Sequence, residues 1–339
     1  MERQDSKSMN PTAPIVPELA VPSDMTAWQQ QREVLRATLW KLMGDLPARP
    51  SKPEVRIRER RETEDASIET FEFDNGAGAL VPGVLILPKR RTGKVPGILY
   101  CHWHGGEYDG GKKEVFEKAH TPGVPAIELA KRGYAVIAID AYCFGERNGQ
   151  GPGSGEKGGA GEMTASKWNL WFGQSLWGMI VRDDLIALDC LASRPEVDAT
   201  RLGATGISMG ATRTWWAMAL DDRLKAGVAV ACLTRYQDLI EAGMLKAHGI
   251  YYFVPGMLQH FDTEAVISLI APRAALFLTG DQDGGSPVAG IRKIEAVARE
   301  VWRLCGKPDA FESRVYRGLG HVYTPDMWER MLKWMERYL

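Results

Sequence analysis

The stretch that most constrains this chain is Gly206-Ile207-Ser208-Met209-Gly210. It follows a short strand candidate, Arg201 to Thr205, and opens a helix candidate, Ala211 to Leu220. A strand-to-helix turn that tight leaves no room for a side chain two positions either side of the serine. Glycine removes the collision and tolerates the strained dihedrals. The serine Oγ is then lifted clear at the carboxyl end of a sheet. The Met209 N–H, opening the new helix, points to where an oxyanion would form. The same pentapeptide also occurs as an ordinary turn in glycine-rich chains, and this chain has 36 glycines. Its meaning therefore depends on partners elsewhere.

The rest of the chain reads as a doubly wound α/β fold. Residues Met1 to Ser23 are polar and proline-dotted, an expected flexible arm. Residues 24–53 carry a helix candidate to about Met43, with Trp28, Val34, Leu35, Leu39 and Leu42 on one face. Residues 54–339 form the expected catalytic domain. Alternation at Val55–Arg58 and Ile68–Phe73, then Val81–Leu87, predicts antiparallel strands at one edge of a mixed sheet. Beyond Pro96, apolar strands alternate with helices to the end of the chain, which predicts a mostly parallel sheet with helices on both faces. Two insertions interrupt this order, at about 144–166 and 234–263. Phe144 to Gly161 holds eight glycines and no apolar periodicity, and reads as a solvated loop or a mobile lid. Thr234 to Thr263 carries five aromatic residues and is expected to roof a pocket.

An acyl-transfer serine needs a base, and the base needs an orienting acid. Gly280-Asp281-Gln282-Asp283 follows one apolar strand and Gly320-His321 follows the next. The order Ser208, Asp, His321, each just beyond a strand, is the hydrolase order of the nucleophile-elbow motif. Asp283 is preferred as the acid because Gly280-x-x-Asp283-x-x-x-Pro287 resembles the acid loop of many hydrolases with this order of residues; Asp281 is then expected to bond the loop backbone. A second oxyanion donor is expected from Cys101-His102-Trp103-His104-Gly105-Gly106, with the Gly106 N–H first and Gly105 second. A metal pair at His102 and His104 is the alternative, but their spacing fits no familiar zinc pattern. Trp103, Tyr142, Trp171 and Tyr252 are candidate substrate contacts; core packing is the competing reading for such aromatics.

With these motifs in place the chain resembles the α/β-hydrolase superfamily, nearest the dienelactone hydrolase-like and acetyl xylan esterase-like group, over roughly Val81 to Leu339. The resemblance implies the α/β-hydrolase fold, a serine esterase and no cofactor. Two departures qualify the subgroup. True dienelactone hydrolases use a cysteine where this chain has Ser208, and the Arg-Gly-x-Gly run of the acetyl xylan and cephalosporin esterases is replaced by Ala141-Tyr142-Cys143-Phe144-Gly145-Glu146-Arg147.

The expected activity is hydrolysis of short-acyl esters, acetyl esters of carbohydrate or of other polar or cyclic alcohols among them. Two alternatives remain: a prolyl-oligopeptidase-type peptidase, and a binding protein that keeps the fold without catalysis. The net charge of −1 gives no electrostatic case for nucleic acid or an anionic membrane. No apolar run reaches the ~20 residues that span a bilayer. Five scattered cysteines show no disulfide framework, which makes the cytoplasm the default location. A small-molecule ester is the expected partner, and a homo-oligomer is left open.

Overall fold

The computed structural model describes residues 15–152 and 155–339. Most of the expected arm lies outside the described residues. Nine strands form one sheet: β1 (Val55–Glu62), β2 (Ala66–Asp74), β3 (Leu80–Pro88), β4 (Val95–Cys101), β5 (Ala135–Ile139), β6 (Val197–Ile207), β7 (Leu224–Val230), β8 (Ala274–Gly280) and β9 (Phe311–Tyr316). Their spatial order is β1-β2-β3-β5-β4-β6-β7-β8-β9. The first three are antiparallel and join β5 antiparallel; from β5 to β9 all pairs are parallel. The fold is thus α/β, as the alternation predicts. β4 lies between β5 and β6, so the winding reverses beside it. In open α/β sheets ligands bind at the carboxyl ends of the strands at such a reversal. There the segment after β4 and the Ser208 turn after β6 emerge side by side.

The helices are α1 (Met25–Leu42), α2 (Pro125–Lys131), α3 (Gly158–Trp171), α4 (Leu176–Ala192), α5 (Met209–Leu220), α6 (Tyr236–Glu241), α7 (Thr263–Ser268), α8 (Val288–Leu304) and α9 (Pro325–Tyr338). α5 is buried along its whole length. α8 instead buries a stripe at Ile291, Ile294, Ala298, Val301 and Trp302, the spacing of one helical face. α1 is capped by Asp24, whose side chain accepts the Ala27 N–H. Trp28 and Leu39 are buried, and Arg32 and Arg36 both bond Asp222 at 2.6 to 2.9 Å. These guanidinium partners overcome the cost of its partial burial and bring the Asp222 carboxyl down to about 2. The N-terminal extension is therefore fixed to the main domain. At the far edge, all eight residues of β1 are exposed, and its pairing with β2 is interrupted by a bulge at Arg58.

The first insertion differs from its expectation. Its later part, from Gly158, is helix α3 rather than loop or lid. Two features hide it in the sequence. Glycines at 158, 159 and 161 fill the first turn, where intrinsic propensity is poor. The buried stripe is Glu162, Ala165, Ser166 and Asn169, which has helical spacing but almost no apolar content. The second insertion folds into α6 and a series of single 3-10 turns before α7.

Candidate active site

Ser208 joins β6 directly to α5 with φ 59° and ψ −120°. A non-glycine residue there is strained, at a cost on the order of 1–3 kcal/mol. Its N–H donates to the Val230 and Ala231 carbonyls at 2.9 and 3.0 Å, which holds the turn. A Cβ on either Gly206 or Gly210 would collide with the Cys101 carbonyl oxygen. Both glycines are thus required by the close passage of β4, as well as by the turn. Beneath the turn, fully buried Arg213 is bidentate to Asp184 at 2.9 and 2.6 Å.

The candidate acid and base arrive on two crossing loops. Gly280 lets them touch: a Cβ there would strike the Leu319 and Gly320 carbonyls. Gln282 N–H donates to Leu319 O at 2.8 Å, and Asp281 N–H to Tyr316 O at 2.9 Å. Two residues apart, the aspartates then diverge. Asp283 Oδ2 accepts from His321 Nδ1 at 2.8 Å, while Oδ1 accepts the Gly285 N–H at 3.0 Å. Asp281 accepts the Gly318 N–H at 2.7 Å and ties the histidine loop at its start. With its proton on Nδ1, His321 has a free Nε2, which has no partner among the described residues.

Ser208 and His321 line one cleft of about 460 Å³, together with Trp103, His104, His248 and Tyr251. A second lobe of about 440 Å³ shares Trp103 and His321 and adds His120, Thr121 and Tyr323. Trp103, stacked on His120 at 3.5 Å, stands between the two lobes.

The segment after β4 is fastened residue by residue. Buried His102 donates from Nδ1 to Trp103 O at 2.7 Å and accepts the Ala141 N–H on Nε2 at 3.1 Å. Burial drives its pKa well down, so it is a neutral peg. Glu114, whose carboxyl burial pushes up, accepts from the Tyr100 hydroxyl at 2.6 Å and from the Trp103 N–H at 2.8 Å. His104 donates from Nε2 to Glu162 at 3.1 Å and accepts the Gly106 N–H on Nδ1 at 3.0 Å. Both rings are saturated by different protein partners, so the two histidines do not converge as a ligand pair.

The Gly106 N–H, first choice as the second oxyanion donor, is thereby engaged by the His104 ring. The His104 and Gly105 amides have no partner among the described residues and stay in the cleft wall. Met209, as first residue of α5, has no intrahelical acceptor for its N–H.

Of the four aromatic candidates for substrate contact, only Trp103 lines the cleft. Tyr142 lies under the Arg147 guanidinium at 3.8 Å, in a buried network with Asn75 and Asp183. Trp171 ends α3, 92% exposed. Tyr252 is buried behind the cleft and stacks on His248 at 4.1 Å. Its neighbour Tyr251 takes the wall position instead and stacks on His104 at 4.8 Å. The sequence marks Tyr251 and His248 only as members of the insertion expected to roof the pocket, and does not mark Glu162 or Glu114 at all. All four sit in or just after 3-10 turns, or in the disguised helix, where no periodicity reveals which way a side chain points.

The profile of the Abhydrolase family matches residues 3–331, nearly the whole chain. The chain belongs to the α/β-hydrolase family. A Bacillus subtilis (strain 168) hydrolase, named "Putative hydrolase YtaP", is 37% identical over 309 residues, covering 90% of this chain and 98% of that protein. Two solved structures repeat the fold at low identity. One is a glucuronoyl esterase from Solibacter usitatus, with TM-score 0.66, 18% identity and 95% and 98% of the two chains covered. The other is an acetyl xylan esterase from Paenibacillus sp. R4, with TM-score 0.59, 22% identity and 96% and 98% covered. The hydrolase thus shares its architecture with them along nearly its full length. No helix among the described residues is long and apolar enough to cross a membrane.

Proposed function

We propose that the hydrolase is a serine carboxylesterase acting on short-acyl esters of polar or cyclic alcohols. The observation that carries this reading is the 2.8 Å Asp283–His321 pair, opening onto the cleft that holds Ser208 on its strained turn. His321 Nε2 takes the Ser208 proton as Oγ attacks the ester carbonyl. The oxyanion is received by the Met209 N–H and by the free amides of His104 and Gly105. One such donor typically lowers the barrier by about 2.7–4 kcal/mol. His321 then protonates the leaving alcohol and activates the deacylating water, while Asp283 holds the ring with Nδ1 protonated. The scheme uses no metal or organic cofactor. The names of the two solved neighbours favour ester over amide; acetyl xylan esterase has its carbohydrate on the alcohol side, the side proposed here, whereas glucuronoyl esterase has it on the acyl side. A short acyl group suits the cleft, whose walls mix Tyr251 and Trp103 with His104, His248 and Lys246.

Turnover of p-nitrophenyl acetate, butyrate, octanoate and palmitate, beside matched peptide anilides, tests the proposal. Each methylene accommodated by a pocket changes discrimination by ~1 kcal/mol. The expected kcat/KM falls from acetate or butyrate to palmitate, with anilides slower throughout. A maximum at octanoate or palmitate would overturn the short-acyl reading. Faster anilide than ester turnover would point to a peptidase. Absence of covalent labelling of Ser208 by a fluorophosphonate would leave only a binding role.

A further inference from the structure

Glu162 lies on α3, in an insertion with no part in the triad, yet its carboxylate is buried against the segment that follows β4. Oε1 accepts from His104 Nε2 at 3.1 Å, and Oε2 accepts from the Tyr108 hydroxyl at 3.1 Å. Burial and this carboxylate both push the Tyr108 phenol upward, so Tyr108 remains a donor. The bond to Oε1 selects the His104 tautomer with hydrogen on Nε2, because a carboxylate can only accept. Nδ1 is then bare, and it captures the Gly106 N–H at 3.0 Å. Gly105 and Gly106 both have positive φ, at 49° and 81°, so the turn has no side-chain restraint of its own. The imidazole is gripped further by Tyr251, stacked at 4.8 Å, and edge-on by Tyr108 and Phe144, both at 5.0 Å.

We propose that Glu162 is a positioning residue for the proposed ester hydrolysis: through the His104 ring it locks the Gly105-Gly106 turn so that the His104 and Gly105 amides stay unpaired beside Ser208. With the opposite tautomer, Nδ1 would carry the hydrogen and repel the Gly106 N–H. The turn would then lose its anchor, and a glycine pair would sample several backbone states. Preorganised amides matter most in the transition state, so the loss should appear in kcat rather than KM. The inference rests on the esterase reading for its kinetic consequence and on geometry alone for the tautomer.

Two substitutions test it. Glu162→Ala removes the acceptor. Glu162→Gln keeps a carbonyl oxygen for His104 Nε2–H and turns its amide toward the Tyr108 oxygen. Each variant is compared with wild type by kcat and KM on p-nitrophenyl acetate, by Ki for a trifluoromethyl ketone, and by hydrogen exchange at the Gly106 amide. For Glu162→Ala we expect kcat to fall about 10- to 100-fold, a fraction of the loss for deleting a whole oxyanion donor. KM should stay within about 2-fold, the ketone should weaken in parallel with kcat, and Gly106 exchange should quicken. Glu162→Gln should restore most of kcat and the slow exchange. Unchanged Gly106 exchange in Glu162→Ala, or a glutamine variant as impaired as the alanine one, would overturn the role of Glu162. If the alanine variant does not fold, the glutamine variant alone decides by keeping or losing slow exchange. A wild-type protein inactive on every ester would sink the esterase reading instead, while the exchange experiment would still judge Glu162.

Discussion

From Leu202 to Leu220 every residue except Ser208 is buried, whereas from Arg317 to Asp326 none is. The first stretch carries the proposed nucleophile and the second the proposed base. Ser208 is held by close packing: β4 presses on both glycines, α5 is enclosed, and Arg213 is paired with Asp184 below. His321 is held by a few directed bonds, chiefly to Asp283, Gln282 and Asp281 on the neighbouring loop. Strain at φ 59° can persist only where the surroundings over-determine it, which explains why the serine is in the packed part. A base that accepts a proton and later returns it needs room for solvent and alcohol to come and go, which explains the open part. Damage to the packed part should cost stability, and damage to the open part should cost rate.

Ser208→Ala is the exception that isolates chemistry inside the packed part. It should lower kcat by about 10⁴- to 10⁶-fold while thermal unfolding stays near wild type. Activity above a few per cent of wild type would remove Ser208 as nucleophile. Asp283→Asn, in the open part, should lower kcat by about 10³- to 10⁴-fold by mis-setting the His321 tautomer. Denaturant titration should find its stability changed by less than about 1 kcal/mol, because the asparagine can still accept from Gly285. Asp184→Ala should do the reverse. It leaves a buried guanidinium unpaired and should cost about 3–5 kcal/mol of unfolding free energy, with kcat per folded molecule largely kept. A rate loss as large as that of Asp283→Asn, at wild-type stability, would erase the contrast between the two parts. Asp281→Asn should be mildest, about 10-fold or less in kcat, since an amide oxygen can still accept the Gly318 N–H. If it proves more damaging than Asp283→Asn, the acid and its neighbour have exchanged roles.

The parts of this architecture that follow a periodicity or a fixed motif are legible in the sequence. Most of the strands follow period-two or apolar-run patterns, and the helical patterns readable over Val288–Leu304 and Pro325–Tyr338 have the observed bounds of α8 and α9. The Ser208 turn and the Asp283 loop declare themselves through Gly206, Gly210 and Gly280, which the observed close contacts require; Gly320 meets nothing, and His321 is legible only from its place just beyond β9. What escapes is direction. Tyr251 and Tyr252 are adjacent in one 3-10 turn, and a single step decides which faces the cleft. The Gly106 amide is diverted by a ring only two residues earlier, whose tautomer depends on Glu162, 58 residues away. Helix α3 is invisible because its stability comes from polar tertiary contacts rather than from an apolar stripe.

The exposed strand β1 bears on how the protein behaves when crowded. A bare sheet edge is a template on which another chain's strand can pair, and many β-containing proteins aggregate by that route. Here the edge reads Val-Arg-Ile-Arg-Glu-Arg-Arg-Glu, and an incoming strand would have to lie along six charged side chains. It would also meet the bulge at Arg58, where the row of pairing groups falls out of step. That arginine is turned back onto Glu146 at 2.7 Å, so the irregularity is anchored to the body of the molecule. The β1 edge is thereby guarded against the strand-by-strand pairing that leads to fibres.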